Sequence, residues 1–206
     1  MAQIAAPYGL RVIKMLGDLP FSGGMHTYPV TANQTSGFFF GDPVGLAGGT
    51  VVPLTASPTT TLGPNSPIGV FMGAEYQDPK WGFVNSQFFP PNGISAGFTA
   101  VRFKIADAPD IVMQVQATGP VNLNQQGLNA ALIGPFAAGN NFSGNSVVAL
   151  NAASIAVAPA LAVRIYGFVY NASPSPGASS KPGDPYTDVL VVWNFGVHRF
   201  QNGGGQ

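Results

Sequence analysis

One G-x-S-x-G pentapeptide, two histidines and eight carboxylates are the groups in this 206-residue chain whose types and spacing bear on chemistry. Gly93-Ile94-Ser95-Ala96-Gly97 has the residues of a nucleophile elbow, and Asp107 or Asp184 followed by His198 gives a Ser, Asp, His chain order. An elbow needs a strand before its serine and a helix after it, so that the hydroxyl stands on a strained turn beside an oxyanion hole. Here Phe-Phe-Pro-Pro-Asn precedes the pentapeptide and a strand pattern follows it. Ser95 therefore reads as a residue of a hairpin turn, and no catalytic residue is assigned. His26 and His198 have no histidine or carboxylate at three- or four-residue spacing. Metal sites need clustered ligands, so each histidine reads as a strand-end imidazole with a hydrogen-bond partner. Asp107-Ala-Pro-Asp110 and Asp184-Pro-Tyr-Thr-Asp188 combine carboxylates with proline, which is ordinary turn chemistry, and no metal ligand is assigned. Glu75 and Asp78 are close carboxylates with aromatic company in Tyr76, Trp81 and Phe83, the composition of a sugar-binding cleft. The other reading of that segment is a strand end with packed aromatics. Tyr76 and Trp81 are the candidates for stacking on a glycan. No G-x-G-x-x-G or phosphate loop occurs, and no cofactor is expected.

The elements that hold these groups are set by composition. Gly and Pro number 27 and 19. They cost ~1 and ~3 kcal/mol relative to Ala in a helix interior, which excludes a coiled coil or helical bundle and asks for short strands and turns. Leu10 to Leu16 reads as a first strand closed by Gly17-Asp18 and Pro20. Met25 to Thr31 reads as an edge strand, because Pro29 cannot donate to a ladder. Phe38 to Phe40 runs through the turn Gly41-Asp42-Pro43 into a short strand, and Thr50 to Thr55 and Ile68 to Tyr76 flank a proline-rich loop. Alternation is clearest in Phe98 to Ile105, Ile111 to Gln116 and Leu161 to Tyr166, each with one wet face. Val189 to Phe195 is apolar on both faces, so it belongs at the fold centre or in a subunit contact, with Val192 on the second face. Gln125 to Ile133 is the one segment with a helical pattern. These elements predict an all-β chain of one domain over 1–206, an antiparallel β-sandwich or jelly-roll-like barrel with a short N-terminal arm over 1–20 and a Pro/Gly/Ser-rich surface loop over 171–185.

Charge excludes other classes. Eight Lys and Arg balance eight Asp and Glu, too few and too dispersed for the dense basic face that binds nucleic acid. The most apolar window, Val147 to Tyr170, is broken by Asn151, Ser154, Pro159 and Arg164, so no membrane span is expected. No cysteine is present, which leaves neither a disulfide framework nor thiolate chemistry. The expected surface of a folded chain of this size is about 9,000 Å². Sixteen charges spread over it are sparse against the ~25% charged residues of an average soluble domain, and a charge-poor surface is the kind that other subunits cover.

The order of several short segments resembles a family of tailed-bacteriophage capsid decoration, or cement, proteins. Ala6-Pro7-Tyr8-Gly9-Leu10-Arg11-Val12 and Gly41-Asp42-Pro43-Val44 are similar to the opening of that family. Ile68 to Tyr76, Asp107 to Gln116, Gly127 to Ala130 and Arg164 to Val169 continue the likeness, and the last strand into Asn194 and His198 completes it. The family's middle is more acidic than this neutral chain. The resemblance implies a structural, non-enzymatic virion protein on the outer capsid surface that bridges neighbouring major capsid proteins and assembles with itself, as a homotrimer before a dimer. Pro7, Tyr8, Leu10 and Arg11 are the candidate contacts with the capsid or a neighbouring subunit, because they precede the first turn and lack an evident place in a sandwich core. An ordinary edge strand is the alternative for them. The competing function is a tail-associated or host-glycan-binding β-module that uses Tyr76 and Trp81.

Overall fold

Thirteen strands run through the described residues, which in the computed structural model are 4–58, 66–170 and 180–196. The helical turns among them are two 3-10 segments, Leu123–Gln125 and Ala152–Ser154. His198, most of the loop expected over 171–185 and part of the proline-rich loop before Ile68 lie outside the described residues.

The first sheet has five strands in the order β1 (Arg11–Met15), β8 (Ile111–Gln116), β13 (Asp188–Trp193), β12 (Val163–Phe168) and β9 (Asn129–Ala130). The second runs β2 (His26–Pro29), β7 (Thr99–Ala106), β5 (Pro67–Asp78), β3 (Pro43–Ala47) and β4 (Thr50–Pro53), with β6 (Gly82–Ser86) paired to the far end of β5. A small ribbon joins β10 (Leu132–Ile133) to β11 (Ala149–Leu150). The ladders between these strands are antiparallel. The fold is an all-β sandwich, as the alternating strands predicted. Barrel closure is not reached: one parallel bridge, Val30 to Val51, joins the β2 and β4 edges of the second sheet at a single point.

Period-2 alternation sorts the side chains into two cores. Between the sheets, Ile111, Met113 and Val115 of β8 pack with Val189, Val191 and Trp193 of β13, Val163 and Ile165 of β12, and Val70 and Ala106 from the second sheet. On the other side of the second sheet lies an aromatic core of Phe38, Phe71, Phe89, Phe103 and Tyr76. Phe71 and Phe103 meet edge-on with ring centroids 5.1 Å apart, the geometry that sets the positive ring edge against the negative face. Residues 70 and 71 thus divide one strand between two cores.

Three expectations meet their physical tests here. Pro29 does sit on an edge strand. The doubly apolar strand Val189 to Phe195 takes the centre of the first sheet between β8 and β12, and Val192, on its outer side, is only 6% exposed. Gln125 to Ile133 is not a helix. A 3-10 turn ends at Gln125, Gly127 adopts φ +86°, and β12 captures the following backbone through Gly127 N–H to Ile165 O and Ile165 N–H to Leu128 O, both 2.9 Å. Ladder bonds to a buried strand outweigh a weak helical propensity interrupted by glycine.

Of the segment expected as an arm over 1–20, the described residues 4–20 fold back on the first sheet. Residues 11–15 are β1, an edge strand on β8, and Leu10 is wholly buried in the inter-sheet core. Gly9 takes φ +78° beside the Gly41 turn, and a Cβ there would stand 2.6 Å from Ser146 Cβ. Only glycine fits that approach.

Candidate functional site

The outer face of the first sheet carries the N-terminal candidates. Ala6 N–H donates to Gln116 Oε1 at 2.7 Å, and Gln116 Nε2 donates to Ile4 O at 3.3 Å, so one amide side chain of β8 clasps the backbone of the preceding segment. Tyr8 donates its hydroxyl to Asp188 Oδ1 at 3.0 Å. Burial first, and then the Asp188 charge, raise the Tyr8 phenol above its usual range. The Arg11 guanidinium lies over the Tyr8 ring at 4.9 Å, a cation–π contact. Pro7 and Tyr8 are half-buried and Arg11 is exposed, so these three keep surface to offer a partner. Leu10 does not, because its side chain fills the core. Val192 is likewise covered within the single chain. Ile4, Ile13, Leu19 and Met25 are four of the twelve exposed large apolar side chains of the described residues and fall within 22 sequence positions. Lys14 pairs with Asp18 on the same strand end.

Two buried carboxylates have different partners. Asp107 accepts from Tyr28 Oη at 2.6 Å and lies 2.8 Å from His26 Nδ1, tying the start of β2 to the turn after β7. Burial, followed by the hydrogen bond to Asp107, raises the Tyr28 phenol. His26 is thus the strand-end imidazole with a partner that its isolated position predicted. Asp42 closes the turn into β3 by accepting from Phe39 N–H at 2.9 Å, and burial pushes its carboxyl up to about 7, against the lowering effect of Ser146 and the Phe39 amide. In the sequence Asp42 reads as a turn residue, since nothing local announces burial.

The aromatic candidates part company. Tyr76 faces the aromatic core, stacked on Phe98 at 4.6 Å and only 7% exposed, so it has no ring face for a ligand. Trp81 stands in the three-residue loop Pro79 to Trp81 of the β5–β6 hairpin, where Asp78 Oδ1 accepts from Lys80 N–H at 2.7 Å and Trp81 N–H at 3.0 Å, and Gly82 takes φ +78°. Such a loop with a left-handed glycine is a common hairpin closure, and it leaves Trp81 72% exposed with Lys80 Nζ 4.7 Å over the ring. Phe83, the next outward residue on β6, is 70% exposed. Cross-strand register lines up Phe83, Gln77 and Thr99 in one row and Asn85, Glu75, Arg102 and Pro29 in the next. Lys104 bonds Glu75 at 2.6 Å across them. Phe83, Gln77, Asn85 and Arg102 were missed as a group because their shared face exists only once the β5–β6 hairpin and the β7 register are known. The available signal was the turn sequence Asp78-Pro79-Lys80-Trp81-Gly82.

Ser95 lies exposed in a run of turns over 91–97, with Ala96 N–H to Asn92 O at 2.9 Å and Gly97 N–H to Ile94 O at 3.0 Å. That is neither the strand nor the helix an elbow requires. Among the described residues no group of three or more His, Asp or Glu side chains gathers as metal ligands, and no helix is long and apolar enough to cross a membrane. Compared with known proteins, the chain matches no family model, no curated protein and no solved structure.

Proposed function

We propose that this chain is a structural virion protein that binds the outer surface of an icosahedral phage capsid and cements neighbouring major capsid proteins, acting as a homotrimer. The observation that carries the reading is the run of exposed apolar side chains along the N-terminal segment and the β1 edge: Ile4 at the Gln116 end of β8, Ile13 on β1 and Leu19 past its far end, with Pro7, Tyr8 and Arg11 between Ile4 and Ile13 in sequence. Exposed apolar groups strung along a sheet edge in a chain with only sixteen formal charges suit a surface that another protein covers. The ordered likeness of its segments to decoration proteins supports the same role. Symmetric assembly on a lattice favours a closed cyclic oligomer, and a trimer fits local threefold positions.

The experiment is quantitative mass spectrometry of purified virions. The expected result is a ratio to the major capsid protein near one to one or a simple lattice fraction of it, with occupancy falling at least tenfold when residues 1–9 are deleted. A few copies per particle would refute the reading. Unchanged occupancy after the deletion would remove the N-terminal segment from the contact.

A further inference from the structure

The outward face of β6, β5, β7 and β2 differs in chemistry from the N-terminal surface. Its centre is polar: Gln77, Asn85 and the Glu75–Lys104 pair occupy it. Its aromatic groups, Trp81 and Phe83, stand at one end with their rings in solvent. At the other end a groove of about 360 Å³ is lined by Thr27, Tyr28, Pro29, Ala100, Val101 and Arg102, within the ~300–1,000 Å³ of small-ligand sites. Arg102 stands opposite Glu75 in the ladder, yet Glu75 gives its carboxylate to Lys104, and among the described residues Arg102 makes no ion pair. The groove therefore holds an exposed guanidinium without a carboxylate.

We propose that this face binds an acidic polysaccharide, with a sugar ring stacked on Phe83, ring hydroxyls hydrogen-bonded to Gln77 and Asn85, and the carboxylate of a uronic acid residue held by Arg102 in the groove. The chemistry separates this occupant from a protein. A protein contact buries an apolar centre inside a polar rim, whereas this face has a polar centre and aromatics at its edge. An acidic peptide strand also cannot extend the ladder at the groove. Ala100 and Val101 form a bulge opposite Tyr76, and Ala100 at φ +52° leaves the extended conformation that pairing needs. A polyol offers the match: C–H faces for the aromatic ring, hydroxyls for the amides and a carboxylate for the fork of Arg102. The proposal is independent of capsid attachment, since the N-terminal surface lies on the other sheet.

Native affinity electrophoresis of the full chain through gels containing polygalacturonate, dextran or poly-L-glutamate tests it. Retardation by polygalacturonate at least tenfold stronger than by dextran or poly-L-glutamate is expected. Phe83→Ala should weaken retardation by polygalacturonate at least tenfold, and Arg102→Gln should reduce it to the dextran level. Both sites are exposed, and an unchanged thermal midpoint will show that the variants fold. No retardation by polygalacturonate overturns the proposal. Equal retardation by dextran overturns the acidic specificity, and equal retardation by poly-L-glutamate reassigns the face to an acidic protein. Retention of parent-level binding by both variants places any glycan elsewhere.

Discussion

Asp42 shows how far a single side chain's behaviour depends on its surroundings. Its carboxyl, ordinary at 3.8, is pushed up to about 7 by burial in the turn that joins Phe39, Leu10 and Phe71. A raised carboxyl binds its proton more tightly in the folded chain than in the unfolded one. Its contribution is therefore fully favourable below 3.8 and is lost as pH climbs to about 7. The loss between pH 5 and pH 8.5 is about 2–3 kcal/mol, from ~1.4 kcal/mol per pKa unit. Asp42→Asn removes the titration, so the variant's stability relative to the parent should be higher at pH 8.5 than at pH 5 by that amount. Denaturant midpoints at the two pH values check it, and a difference independent of pH would show that Asp42 does not titrate there. The sequence alone showed Asp42 only as part of Gly-Asp-Pro-Val. The pair Tyr76 and Trp81 teaches the same lesson: both stood in one aromatic segment, and strand parity put one ring into the core while a three-residue loop put the other into solvent.

At the scale of the element, close approach of strands limits what the sequence tolerates. Gly69 in β5 faces β7, where an added Cβ would stand 2.3 Å from Ala106 O, a backbone atom that cannot swing aside. Gly69→Ala should cost about 1–3 kcal/mol as overpacking does, lowering the thermal midpoint by roughly 2–4 °C per kcal/mol in a chain of this size. Calorimetry would show it, and Gly48→Ala, with nothing within 4 Å, would separate crowding from conformational strain at its φ of +55°. Strands with clear alternation, such as β7 and β8, were legible as written. β6 was not, because Gly-Phe-Val-Asn-Ser is short and its alternation has one apolar pair only. Two-residue strands such as β9 exist only because a distant strand supplies their hydrogen bonds, and no local pattern encodes that.

For the whole molecule, composition predicted class but not arrangement. Glycine, proline and the few charges pointed to one all-β unit, and the accessible surface of 9593 Å² is close to the ~9,000 Å² expected from mass. That the apolar residues would split into an inter-sheet core and a separate aromatic core was not visible, since both draw on the same strands. Neutrality has a testable result. The proposed capsid interface, built from Ile4, Ile13 and Leu19, would release few counterions, so binding to capsids should change less than about threefold between 50 and 500 mM NaCl, because screening acts on exposed charges. A steep fall in bound copies with salt, measured by sedimentation of decorated shells, would instead make Arg11 and Lys14 the principal contacts. The placement of β13 bears on how the chain is made. All strands of the second sheet come from residues 26–106, whereas the centre of the first sheet is β13, the last strand among the described residues. On the ribosome the curled aromatic half can therefore assemble while β1 and β8 still wait, and the inter-sheet core closes only when residues 188–193 emerge. Between the emergence of Ala106 and that of Asp188 the nascent chain carries one finished sheet and the open half of another.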